Sequence, residues 1–396
     1  MDTYMKCILV YVLVAVALVV FGIIEKKTIA KAVSKIDLRV NVNGIRGKST
    51  ATRFITSILE AEGYRVVGKT TGTSARMILW GREKEIAIKR RPVGANIGEQ
   101  ISVLKKAAKM NADALVCECM AVKPEYQIIY QSEIVHGNVV VLTNVVEDHL
   151  DEMGPTTDQI ALAFSNTIPY NGTLVITKGD YSDYFIKIAE ERNTKVVCVD
   201  PEEVSDDYLN EFPFMVFKNN CALGLGFARA MGIDEERAKR AMLVSHPDPG
   251  ATQIVQVSHD NQKCYLVNAF AANEPSSSLE IWDRICEGPL PKNDATVILC
   301  CRDDRVDRTR QFVDDFLPYV NMKRLMVIGT GALEAVHGFK EGKYPGIEEC
   351  IDLSGQKADV ILDEVYRLMN NNVFLCVGNI HGSADEFLER FASIRI

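Results

Sequence analysis

The sequence predicts an α/β protein in three parts: an N-terminal transmembrane helix, a central P-loop-type parallel-sheet domain and a C-terminal Rossmann-like α/β domain. Three observations predict it. Residues 7–24 form an uncharged run dominated by Val, Leu, Ile and Ala. A glycine-rich loop, Gly44-Ile-Arg-Gly47-Lys48-Ser49-Thr50, follows an apolar strand and opens a helix. Apolar runs then alternate with helical stretches on both sides of the turn-rich segment 245–252.

The apolar run of 18 residues reaches the length of a membrane-spanning helix. Lys26, Lys27, Lys31 and Lys35 follow it and only Lys6 precedes it, which places the C-terminal side in the cytoplasm. The run is long for a cleaved signal peptide and no A-x-A site follows, so an uncleaved anchor is expected, with residues 1–36 as anchor and basic linker.

In the central part, expected over 37–247, Leu38, Val40 and Val42 alternate with polar residues as a strand does. Gly44 and Gly47 allow a turn with positive φ that exposes backbone N–H groups. From Lys48 onward, Phe54, Ile55, Ile58 and Leu59 recur at helical spacing, and Gly63 sits where the helix should stop. The full phosphate-loop pattern would need glycine at Val42; what stands here is G-x-x-G-K-S-T. Helix N-terminus and backbone N–H groups suit an anion, Lys48 neutralises it, and the Ser49 hydroxyl can hold Mg²⁺.

Further strands are expected at 114–117, 139–142, 174–177 and 196–199, and helices at 49–62, 99–110, 123–134, 156–167, 221–231 and 235–243. Ligands of open α/β sheets bind beyond the carboxyl ends of strands. There stand Glu118, after the 114–117 run, and Thr143-Asn144-Val-Val-Glu147-Asp148-His149-Leu-Asp151, after the 139–142 run. A carboxylate beside a Lys-Ser loop is what Mg²⁺ requires, since this hard cation takes oxygen ligands; His149, among acids, is a candidate for a second ion. The C-terminal part, expected over 248–396, shows strands at 265–267, 296–300, 325–328 and 373–377 with helices at 276–286, 308–320, 332–337, 357–369 and 384–391. It has no G-x-G-x-x-G, so no dinucleotide site is expected.

The 396 residues are 47% hydrophobic and 25% charged, as in ordered globular chains. A net charge of −8 argues against nucleic-acid binding. Eleven cysteines show no C-x-x-C spacing and read as reduced, buried thiols.

The Gly44–Thr50 loop, Glu118 and the Thr143–Asp151 string, in this order, resemble the Mur ligases and folylpolyglutamate synthases. A closer resemblance, to the membrane-anchored ligase subunits of capsule-type poly-γ-glutamate synthases, covers nearly the whole chain. It is carried by Asn43-Gly-Ile-Arg-Gly-Lys-Ser49, Val67-Gly-Lys-Thr-Thr-Gly-Thr73, Asn96-Ile-Gly-Glu-Gln100, Glu118-Cys-Met-Ala121, Ile168-Pro-Tyr-Asn-Gly172, Arg302-Asp-Asp-Arg-Val-Asp-Arg308 and Val377-Gly-Asn-Ile-His-Gly382.

The resemblance implies a central ATPase domain and the ATP-dependent joining of glutamate through its γ-carboxyl, by way of an acyl phosphate. ATP and Mg²⁺ are the implied cofactors. Another amino-acid or folylpolyglutamate-type ligase is the alternative within this chemistry; a membrane-tethered ATPase that energises assembly or export is the alternative outside it. The expected assignments are Gly44, Ile45, Arg46, Gly47, Lys48, Ser49 and Thr50 to the nucleotide, with Ser49, Glu118 and His149 at the metal; Lys48, Glu118 and His149 are the catalytic set. By resemblance Asn144, Asn268, Asn273, Arg302, Asp303 and Arg305 contact nucleotide or acyl phosphate. A polyanionic substrate calls for cations, with Arg46, Lys69, Arg76 and Lys89-Arg-Arg91 as candidates, and Thr70-Thr71-Gly72-Thr73 as a cradle for its carboxylate end. The chain departs from the Mur ligases in having no lysine between Asp158 and Tyr170 to be carbamylated, and in carrying Asn268 and Ala272 where that family has aspartate and histidine. Expected partners are glutamate and the growing poly-γ-glutamate chain, small membrane subunits of an export complex, the membrane itself and a second copy of the chain. The expected location is the cell membrane, single-pass, with cytoplasmic catalytic domains.

Overall fold

Strand after strand of apolar residues buried on both faces requires a sheet covered by helices on each side, and the computed structural model has two such sheets. It describes residues 3–71, 75–82, 84–88, 96–148, 150–248, 252–270, 272, 274–288, 290–379 and 383–392. The chain divides into two compact units, Met1–Pro249 and Gly250–Ile396.

The first unit runs α1 (Thr3–Val33), β1 (Leu38–Asn43), α2 (Lys48–Ala61), β2 (Val66–Thr70), β3 (Arg76–Leu79), β4 (Ile86–Ala87), α3 (Gly98–Lys109), β5 (Ala114–Glu118) and α4 (Pro124–Ile129). It continues with β6 (Val139–Leu142), α5 (Leu150–Met153), α6 (Thr157–Ser165), β7 (Thr173–Thr177), α7 (Ser182–Glu191), β8 (Lys195–Val199), α8 (Asp206–Asn210), α9 (Lys218–Met231) and α10 (Glu235–Leu243). The strand order is β4-β3-β2-β5-β1-β6-β7-β8. The strands from β2 to β8 in this order are parallel, and β3 and β4 extend the β2 edge antiparallel. β1 therefore lies between β5 and β6, with Val42 opposite Glu118 and Asn43 opposite Leu142. The loop after β1, Glu118 and the segment after β6 are thereby delivered side by side.

Two expectations change. The stretch 25–36, expected to be a basic linker, instead continues α1 as far as Val33. Ile29, Ala32 and Ile36 are spaced to face one way and are buried against Leu104, Ala107, Tyr130 and Ile134, which keeps the helix from ending at the apolar run. The helix expected over 123–134 splits: after α4 the turn Tyr130–Val135 widens to π-helical geometry, with His136 N–H bonded to Gln131 O at 2.9 Å, five residues back.

The second unit contains β9 (Gln253–His259), β10 (Gln262–Asn268), α11 (Pro275–Glu287), β11 (Thr296–Cys301), α12 (Val306–Asp315), β12 (Arg324–Gly329), α13 (Leu333–Lys340), β13 (Glu349–Ser354), α14 (Ala358–Arg367), β14 (Asn372–Gly378) and α15 (Ser383–Ala392). Its order is β13-β12-β11-β14-β10-β9, parallel except for the β9–β10 hairpin. Sequence periodicity did not reveal β9 or β13. The hairpin turns on Asp260 and Asn261, whose φ of 46° and 64° fit a two-residue turn between paired His259 and Gln262. α12 stops five residues before the expected end because Pro318 has no N–H to continue the ladder.

Candidate active site

The loop after β1 owes its shape to two glycines. Gly44 has φ +123° and Gly47 φ +75°. A Cβ would lie 2.2 Å from Thr143 Oγ1 at Gly44, and 2.2 Å from Asn220 Nδ2 at Gly47. Backbone bonds then divide the loop in two. Gly44 N–H donates to Asn43 Oδ1 (2.9 Å), Ile45 N–H to Asn144 O (3.4 Å) and Arg46 N–H to Asn144 Oδ1 (2.9 Å). In this structure these three N–H groups are bonded within the loop and to the segment after β6. The first turn of α2 differs: N–H groups of Lys48, Ser49 and Thr50 have no carbonyl within the helix, and no side chain caps it. The N–H groups left without a helical partner therefore run from Lys48 to Thr50, at the end of the helix that suits an anion.

Lys48 Nζ donates to Gly44 O and Ile45 O, both at 2.8 Å. Desolvation by surrounding atoms pushes its pKa below the ordinary lysine value, with the Glu118 carboxylate pulling the other way.

Glu118 is 3% exposed, so its charge must be compensated. Its Oε2 accepts from Ser49 Oγ and from Thr71 N–H, both at 2.8 Å, and its Oε1 accepts from Thr71 Oγ1. Thr71, expected as a substrate contact, thus orients the carboxylate. Among the described residues, Thr70 carries a buried Oγ1 without a partner, and opposite it in the β2–β3 register stands half-buried Arg76, whose Nε also lacks one there. Lys69 is fully buried, with Nζ 3.8 Å from Glu99 Oε2.

The segment after β6 braces the loop. Asn144 supplies two of its acceptors, and Arg46 Nη2 lies 3.1 Å from Asp148 Oδ2. Gly72, Thr73, His149 and Asn273, with Lys89-Arg90-Arg91, lie outside the described residues.

Sequence reasoning missed Asn219 and Asn220. Asn220 Nδ2 donates to Gly47 O at 3.0 Å and Asn219 Nδ2 to Thr143 O at 2.9 Å, tying α9 to both loops. The signal was an Asn-Asn pair just before an apolar helical run expected to begin at residue 221; α9 begins at Lys218 and puts both in its first turn.

The buried thiols Cys117 and Cys119 beside Glu118 are pushed up to about 12 by burial. Both are protonated at neutral pH and unsuited to act as nucleophiles.

In the second unit, Asn268, Arg302 and Asp303 stand at the carboxyl ends of β10 and β11. Asn268 Oδ1 accepts from Phe270 N–H at 3.4 Å, Arg302 pairs with Asp304 at 2.6 Å and Asp303 Oδ1 accepts from Thr330 Oγ1 at 2.8 Å. Arg305 is exposed at the start of α12. Asn379, after β14, accepts from Arg308 Nη1 at 3.3 Å, and its buried Nδ2 has no partner among the described residues. It was not among the expected contacts.

A central strand that delivers a helix N-terminus beside a buried carboxylate and a serine hydroxyl is the frame of a nucleotide-binding site; the family matches place the chain in the Mur class of ATP-dependent, amide-forming ligases. Residues 42–220 match the Mur ligase middle domain, and residues 254–394 match the poly-gamma-glutamate synthase CapB C-terminal domain. The chain belongs to the CapB family of poly-γ-glutamate synthases. It is 47% identical over 385 residues to PGA synthase CapB of Bacillus subtilis (strain 168), covering 97% of this chain and 98% of that one. It is 47% identical over 374 residues to the capsule biosynthesis protein CapB of Bacillus anthracis, covering 94% and 80%. Among solved structures, Escherichia coli FolC in complex with DHPP and ADP is similar in fold, with TM-score 0.67, 16% identity and 93% and 92% of the two chains covered. MurF from Acinetobacter baumannii gives TM-score 0.61 at 14% identity, covering 92% and 78%.

Proposed function

We propose that the protein polymerises glutamate, using ATP to activate a carboxylate as an acyl phosphate that a free amine then attacks. The observation that carries this reading is the Ser49–Glu118 pair at the helix N-terminus, 2.8 Å apart. A hydroxyl and a carboxylate are hard oxygen donors, and they leave most of an octahedral shell to phosphate and water, which fits Mg²⁺. The ion would be held by Ser49 and Glu118, with His149 a candidate for a second one, and when bound would neutralise phosphate charge.

The protein's own groups supply positioning and electrostatics. Gly47–Thr50 N–H groups and Lys48 receive the β- and γ-phosphates. A carboxylate oxygen of the substrate attacks the γ-phosphorus and ADP leaves. The free amine of the second substrate attacks the acyl carbon; as the C–N bond forms, the acyl C–O bond breaks, inorganic phosphate departs with the activating oxygen, and the amine's proton passes to the departing phosphate or to water. No side-chain nucleophile takes part. Thr70 and Arg76 are assigned to the substrate carboxylates, and Asn268, Arg302, Asp303, Arg305 and Asn379 to nucleotide or acyl phosphate.

The apolar part of α1 is long enough to span a bilayer, its most apolar 18-residue stretch having a mean hydropathy of 3.2. We place it in the cell membrane as a single anchor with the catalytic units on the cytoplasmic side, where the lysine bias points. Small membrane subunits that move the polymer outward complete the reading.

Incubation of the full-length protein in membranes with Mg-ATP, glutamate and oligo-γ-glutamate tests the function. ADP release that requires glutamate, and is lost in Lys48→Ala, is expected. ATP turnover indifferent to glutamate would mark an ATPase that makes no bond.

A further inference from the structure

The anchor is wired to the catalytic centre through one short element. The π-helical turn Tyr130–Val135 meets α1 through Tyr130 and Ile134, which share a buried cluster with Ile29, Ala32 and Ile36, and through Glu133, 3.4 Å from Lys26 Nζ. The same turn, with α4 before it, grips the strands that carry the site. Tyr130 OH donates to Glu118 O at 3.3 Å. Asn41 Nδ2 donates to Gln131 Oε1 at 2.9 Å, and Asn43 Nδ2 to Gln127 Oε1 at 3.0 Å. Asn43 completes the line by accepting from Gly44 N–H.

These groups are buried: Tyr130, Gln127 and Asn41 have no exposed surface, and Asn43 has 1%. Apolar packing alone would let the helix slide on β1. Two amide pairs at alternate strand positions favour this register, because a shift would break both buried pairs, although Asn41 Oδ1 has no partner here among the described residues. The widened turn suits this use, since π geometry re-aims successive side chains and frequently marks functional sites.

Resting on the ligase reading above, we propose that Gln127, Tyr130 and Gln131 are positioning residues that couple the packed end of the membrane helix to Glu118 and the phosphate loop. The anchor is then part of the catalytic architecture and more than a tether.

The test uses the full-length protein in bilayer nanodiscs. The readout is the Mg²⁺ concentration giving half-maximal glutamate-dependent ATP cleavage, with thermal unfolding followed in parallel. Tyr130→Phe and Gln131→Met should each raise that concentration about 10-fold, with turnover at saturating Mg²⁺ held within about twofold. Ile29→Ala, on the anchor, should shift it in the same direction, and Ile29→Val should restore it. Leu13→Ala, in the apolar run, should leave it unchanged. An unaltered Mg²⁺ requirement in Tyr130→Phe and Ile29→Ala, with cleavage intact, overturns the proposal. A fall in unfolding temperature and turnover together, with no change in Mg²⁺ requirement, also overturns it by reducing these residues to structural ones. Absence of glutamate-dependent cleavage in the unaltered protein would instead overturn the ligase reading.

Discussion

Ser49 Oγ and Glu118 Oε2 are joined by a hydrogen bond of 2.8 Å, although 69 residues separate them in the chain. Val42 and Glu118 are register partners in neighbouring parallel strands, so the helix that follows β1 begins beside the carboxylate that ends β5. Glu118→Gln keeps an acceptor for Ser49 and Thr71 but removes the charge that a divalent cation needs. Glutamate-dependent ADP release should fall at least about 100-fold, with circular dichroism unchanged. Ser49→Ala should be milder, about 10-fold.

Gly47 and Asn220 make a second prediction. A side chain at position 47 meets both a φ of +75° and the Asn220 amide. Gly47→Ala should weaken binding of a fluorescent ATP analogue by about tenfold or more, since the left-handed conformation alone costs about 1–2 kcal/mol. Adding Asn220→Ala removes the collision and leaves the strain, so the double variant should recover part of the affinity. Full recovery would mean that backbone strain is not the cause.

Lys48 sets a pH dependence. Its desolvated ammonium has a lowered pKa, so in the free protein it releases its proton more readily than an ordinary lysine. Phosphate oxygens replacing the carbonyls of Gly44 and Ile45 raise that pKa, and binding therefore takes up protons. Calorimetric titration in buffers of different ionisation enthalpy should show proton uptake that grows as the pH rises toward the ordinary lysine range. Lys48→Met should abolish it.

Cys117 and Cys119 flank Glu118, yet thiols held near 12 offer almost no thiolate at neutral pH. Iodoacetamide applied to the folded protein at about pH 8 should leave both unlabelled, as peptide mass mapping would detect. Cys119→Ser should retain most of the activity.

Much of this was legible in the sequence because central parallel strands are unbroken apolar runs. β1, β5, β6 and β7 were read within about one residue of their ends, in keeping with the spread of boundary assignments. β2, β3 and β4 were not: Val66–Thr70 places Gly68 and Lys69 inside the sheet, and Ile86–Ala87 is too short to show a period. The loop and Glu118, named because phosphate chemistry favours those residue types beside each other, are brought together by the pairing of β1 with β5. The division of labour within the loop was not legible. Which N–H groups are spent depends on Asn43 and Asn144, and the acceptor geometry of an asparagine emerges only once strands are paired. Asn219 and Asn220, in the first turn of α9, reach the loops only through the fold and leave no periodic signature in the chain. The packed end of α1 was hidden for another reason, since four lysines suggested a solvated linker while Ile29, Ala32 and Ile36 carried the burial.

The central claim is that the carboxylate is phosphorylated before the amide forms, and isotope transfer tests it most directly. Glutamate labelled with ¹⁸O in its carboxyl groups is incubated with Mg-ATP and the full-length protein, and the released inorganic phosphate is analysed by mass spectrometry. The account predicts one ¹⁸O in phosphate for each amide bond made, carried across when the acyl–oxygen bond breaks. Phosphate released without label while polymer accumulates would contradict it.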